Sequence, residues 1–167
     1  MHPHNEQLLG ACGLYCGACN NYLAFQPQNS HLLATAKFAI DAPKRLACRG
    51  CHSDQLTEHC ARCAMRNCAN DKGLHFCGEC AEYPCETIGK FHADGFVLDG
   101  ATHRTDILDN TARLQSVGPT QWLLDQARRW TCTCGLAYSY YESSCARCGE
   151  SLPSYAAGDK ESNKETS

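Results

Sequence analysis

Cys60-Ala61-Arg62-Cys63-Ala64-Met65-Arg66-Asn67-Cys68 and Cys77-Gly78-Glu79-Cys80-Ala81-Glu82-Tyr83-Pro84-Cys85 repeat one pattern, CxxCAxxxC. Two cysteines separated by two residues can grip one ion, because a tight knuckle turns both sulfurs inward. A glycine beside such a pair permits positive φ, which lets backbone N–H groups point at sulfur. The same CxxC spacing recurs at Cys16/Cys19, Cys48/Cys51 and Cys145/Cys148. Five pairs in 167 residues mark a chain built around thiolate-bound metal.

Zinc takes four such ligands in a tetrahedron. Grouped by nearness in sequence, Cys48, Cys51, Cys60 and Cys63 form one set, and Cys68, Cys77, Cys80 and Cys85 a second. Cys132, Cys134, Cys145 and Cys148 form a third, CxC-x10-CxxC, with Gly135 and Gly149 trailing each half. The repeat allows a crossed arrangement as well, each loop lending its outer cysteine to the other site. Cys12, Cys16 and Cys19 are left needing a fourth ligand, for which His52, His59 and His75 are candidates. The cofactor expected is therefore Zn2+, three to four ions. An iron–sulfur cluster at Cys12, Cys16 and Cys19 is the alternative, since CxxxCxxC also holds such clusters. Radical chemistry on that motif would need a long barrel after it, whereas this chain turns into more cysteines. Cys132-Thr133-Cys134 could also act in thiol–disulfide exchange, but Cys145 and Cys148 read as its co-ligands.

Composition supports stapling by metal. Leu, Ile, Val and Phe make up about 16% of the chain, below the roughly 20% at which a chain struggles to build a core. The 15 cysteines cannot all pair internally. The start shows no secretory signal, which leads to the expectation of a cytoplasmic protein whose thiols stay reduced and ligate metal. No stretch approaches a membrane span.

The fold class expected is small, metal-stapled and mainly α, with irregular cysteine knuckles and a C-terminal two-stranded zinc-ribbon-like element. Residues 8–95 read as a cysteine-rich metal-binding domain, 96–130 as a helical segment packing on it, 131–153 as the ribbon-like element, and 154–167 as a disordered tail. Helical spacing is visible at Ser30 to Ile40, Pro84 to Ala93 and about 102–117. A break at Gly118-Pro119 precedes a short helix bearing Trp122, Leu123, Ala127 and Trp130. Both tryptophans read as core. Residues 48–85, poor in large apolar groups, read as turns and knuckles.

The run Cys12-Gly-Leu-Tyr-Cys16-Gly-Ala-Cys19, Cys48-Arg-Gly-Cys51, the two CxxCAxxxC loops and the ending Tyr83-Pro84-Cys85-Glu86 resembles the bacterial and archaeal domain-of-unknown-function family 3795. The resemblance covers about residues 8–95. It implies a small, cytosolic, cysteine-rich module expected to bind zinc, and it brings no assigned reaction. The segment after residue 130 resembles a zinc ribbon whose first half is CxC where such ribbons carry CxxC.

The functional reading is a structural or interaction module with an unknown protein partner. Electron transfer or redox sensing by an iron–sulfur cluster, and nucleic-acid binding through the ribbon, are the alternatives. Nucleic acid is disfavoured because net charge is −3, pI is near 6.2 and the basic residues are scattered. Arg128, Arg129 and Arg147 with Tyr138, Tyr140 and Tyr141 could make a small patch, although packing on Trp130 is the plainer role for those tyrosines. The chain has no phosphate-cradling glycine loop, HExxH or nucleophile elbow, so nothing points to catalysis.

Overall fold

The computed structural model describes residues 5–34 and 48–158. The helices are α1 (Asn20–Leu23), α2 (Glu58–Ala61), α3 (Ala64–Asp71), α4 (Glu86–Val97), α5 (Ile107–Arg129) and α6 (Tyr155–Gly158). Between them run 3-10 turns at Glu6–Leu8, Cys16–Ala18, Pro27–Ala34, Cys77–Glu79 and Thr102–Asp106. No sheet forms among the described residues; strand-like pairing is confined to three isolated antiparallel bridges, Leu9–Tyr15, Thr131–Ala137 and Ser144–Ser151. The expected C-terminal two-stranded element is accordingly replaced by two knuckles, each closed by a single bridge. Only five residues separate Thr131 from Ala137 and six separate Ser144 from Ser151, so each segment spends its length on the turn.

Residues 48–85 hold more helix than their composition suggests. Thr57 starts α2 by accepting the backbone N–H of Cys60 at 3.3 Å, the usual reward of a threonine N-cap. Met65 and Ala69, four residues apart on α3, bury one face. The helix expected from Pro84 begins at Glu86 with Cys85 as its cap, and it runs on to Val97. It can extend because Gly95 has no side chain: a Cβ there would come within 2.8 Å of the Thr105 backbone nitrogen.

The break in α5 falls at Gly118, whose φ of 80° no side-chain-bearing residue adopts cheaply. Of the helix expected over Ser30 to Ile40, the described part is the 3-10 turn Pro27–Ala34, and residues 35–40 lie outside the described residues.

With few aliphatic residues available, aromatic rings fill the core. Leu114, Trp122 and Leu123 of α5 meet Leu8, Leu9, Tyr15 and Leu23 from the N-terminal side. Trp130, Leu136, Tyr138, Tyr140 and Leu152 complete the same cluster from the C-terminal side. Tyr138 and Tyr140 pack edge-on against Trp130, with ring centroids 5.5 and 4.7 Å away. These tyrosines therefore spend their faces on the core. Tyr155, which composition assigns to the tail, packs on Trp130 at 5.7 Å and donates its hydroxyl to Asp106. The rest of the expected tail, residues 159–167, lies outside the described residues. Met65, Ile88 and Ile107 form a second, smaller cluster beneath the cysteine loops.

Candidate metal centre

Two knuckles build the C-terminal centre. In the first, Cys132 N–H donates to Leu136 O at 2.9 Å and Gly135 N–H to Cys132 O at 2.8 Å. In the second, Cys145 N–H donates to Glu150 O at 2.8 Å and Gly149 N–H to Cys145 O at 2.9 Å. Gly135 and Gly149 have φ of 84° and 76°, the left-handed turn that folds each loop back on its cysteine. The four sulfurs of Cys132, Cys134, Cys145 and Cys148 all lie within 4.8 Å of one another. Cys132 Sγ is 3.5 Å from Cys148 Sγ, and Cys134 Sγ is 3.6 Å from Cys145 Sγ.

Those separations suit one ion. Thiolates about 2.3 Å from a tetrahedral metal stand about 3.8 Å from each other. The one-residue spacing of Cys132 and Cys134 does not prevent this, because Thr133 turns outward and donates to Glu150 at 2.5 Å. Backbone N–H groups of Cys148 and Arg147 aimed at Cys145 Sγ lower that thiol, while the neighbouring sulfurs push Cys132 and Cys148 up; one thiolate comes readily, and all four ionise together only around a cation. Arg147 also donates to Cys134 O at 3.2 Å, pinning one knuckle to the other.

Among the described residues, no other set of three or more Cys, His, Asp or Glu side chains gathers this closely. The N-terminal cysteines nevertheless converge. Cys12 feels the charges of Cys51, Cys63 and Cys77; Cys16 feels Cys51; Cys19 feels Cys60 and Cys48. Burial, reinforced by these neighbours, pushes the Cys12 and Cys16 thiols far up and Cys19 up to about 11. Buried thiols in such company cannot ionise together unless a cation joins them. Backbone contacts hold the loops in register: Cys77 N–H donates to Ala11 O at 2.7 Å, and Ala11 N–H to Cys51 Sγ at 3.4 Å.

Cys68, Cys77, Cys80 and Cys85 line one cavity of about 260 Å³. Cys68 stands on α3, Cys77 and Cys80 on the 3-10 turn Cys77–Glu79 and its cap, and Cys85 at the cap of α4. Burial, with Cys85 and Cys68 adding to it, raises Cys77 to about 12. Of the candidate histidines, His52 and His75 meet each other edge-on at 4.4 Å. His59 lines a separate groove with Cys63.

Two contacts carry no sequence signal. Lys72 Nζ donates to Cys80 Sγ at 3.4 Å and to Glu82 at 2.6 Å, a placement that depends on how α3 ends. Asp106, which reads as a solvated helix residue, accepts from both Arg129 and Tyr155.

The class defined is a mainly helical, cysteine-rich protein with a four-thiol centre able to hold a metal ion. Residues 8–90 match the family model described as "Protein of unknown function (DUF3795)". No curated protein and no solved structure matches the chain. The C-terminal four cysteines lie outside the matched segment.

Proposed function

We propose that this protein is a cytoplasmic metal-binding module whose thiolate-held ions maintain a surface for a protein partner. The carrying observation is the approach of the Cys132, Cys134, Cys145 and Cys148 sulfurs to within 4.8 Å of one another. Tetrahedral S4 suits zinc or iron; as a closed centre walled by the core residues Cys132 and Cys145, it fits one structural zinc. The buried thiols of Cys12, Cys16 and Cys19, each raised in part by cysteines of other loops, support further metal sites there. The exposed run Phe96-Val97-Leu98 at the end of α4 supports an interaction role.

Native mass spectrometry with elemental analysis on anaerobically purified full-length chain tests this. One zinc that disappears in Cys145→Ser/Cys148→Ser is the expected result. A chain that carries no metal at this centre when purified with zinc present would sink the reading.

A further inference from the structure

We propose that Cys68, Cys77, Cys80 and Cys85 hold an iron–sulfur cluster in the cavity they line, a centre different in kind from the C-terminal one. The proposal rests on the reading that the cysteines of residues 8–90 are metal ligands.

The spacing of the sulfurs comes first. A single tetrahedral ion needs its thiolates about 3.8 Å apart, and Cys132, Cys134, Cys145 and Cys148 meet that demand. Cys68, Cys77, Cys80 and Cys85 do not: no three of them bring their sulfurs within 4.8 Å of one another. They surround a space instead. In a polynuclear cluster each thiolate takes its own share of the irons, and the iron–sulfide core stands between the ligands. Wide-set sulfurs around a cavity are the arrangement such a core requires.

The room is adequate. The cavity measures about 260 Å³, whereas one water-sized occupant needs only about 10–15 Å³. Ala69, Leu74 and Tyr83 line it beside the four cysteines, so the walls are largely apolar. Cys68 and Cys85 are exposed to solvent, which leaves a path for assembly.

The charged groups on the lining are Lys72, Glu82 and Glu86, and the one cation among them touches a ligand sulfur. Lys72 Nζ reaches Cys80 Sγ at 3.4 Å while holding Glu82, whose own carboxylate lies 3.9 Å from that sulfur. The twelve-residue helix α4 begins at Cys85 with no side chain capping it, so the positive end of its dipole stands beside the fourth ligand. Hydrogen bonds and positive charge at cluster sulfurs raise the reduction potential, and Lys72 supplies both.

The test uses the full chain with zinc already counted at the C-terminal centre, then incubated anaerobically with ferrous iron and sulfide. The expected product is brown, with about two to four irons and matching acid-labile sulfide per chain. Cys77→Ser/Cys80→Ser should lose the visible absorption and keep the C-terminal zinc. Lys72→Met, a change at the cavity rim, should keep the chromophore and lower its reduction potential. A colourless chain that fills these four cysteines with zinc overturns the proposal, as does a chromophore that persists in Cys77→Ser/Cys80→Ser. Either outcome is separate from the C-terminal zinc count, on which the broader reading stands.

Discussion

The hydroxyl of Tyr140 accepts the backbone N–H of Tyr15 at 3.0 Å and donates to the Tyr15 carbonyl at 2.6 Å, across 125 residues of chain. One phenol thus satisfies both backbone groups of a residue in the Cys12–Cys19 loop, all within the core. Tyr140→Phe keeps the ring and strands the buried Tyr15 N–H, while the Tyr15 carbonyl keeps only the longer bond from Ala18 N–H at 3.3 Å. The expected loss is about 1–3 kcal/mol, read from denaturant unfolding of the metal-loaded chain. A variant as stable as wild type would mean that water replaces the hydroxyl.

Metal removal should reach far beyond the knuckles. Cys132 and Cys145 belong to the same core cluster as Leu23 and Trp122. Structural zinc contributes about 10–16 kcal/mol in small sites, comparable with the 5–15 kcal/mol of a whole domain. Cys145→Ser/Cys148→Ser should therefore broaden or abolish cooperative unfolding and alter the fluorescence of Trp130, which touches Tyr138 and Tyr140. An unchanged melting curve would show that the centre is an ornament on an independent core.

Asp106→Asn should cost less. Its partners Arg129 and Tyr155 lie at the rim, and the Arg129 side chain is 44% exposed. Solvent screening limits such a pair to about 0.2–1 kcal/mol, and the loss should shrink as salt rises. Thermal melts at low and high ionic strength measure it.

Alkaline stability follows from the buried phenols. Burial raises Tyr140 far above its ordinary value, and Tyr15 with it. In the unfolded chain these groups ionise near pH 10. Because their folded values are raised, the contribution they make to stability is complete below about pH 10 and is lost as pH rises beyond it. Tyrosinate absorbance should show these two titrating only as the fold gives way; an early, reversible titration would contradict their burial.

Much was legible in the residue order alone. The CxxC pairs, the CxxCAxxxC repeat and the thin aliphatic content point to thiolate metal binding, because knuckle spacing is a local property. The break at Gly118-Pro119 and the buried tryptophans are equally local, resting on glycine's freedom and helical periodicity. Tertiary structure decided how sulfurs gather, since that depends on contacts between loops distant in sequence. It drew Cys132, Cys134, Cys145 and Cys148 into a tight set despite the CxC spacing, and it spread Cys68, Cys77, Cys80 and Cys85 around a cavity. It also set Lys72 against Cys80, and the Tyr140 hydroxyl against the Tyr15 backbone. No local pattern encodes those partners, because each exists only once separate helices and loops share one core.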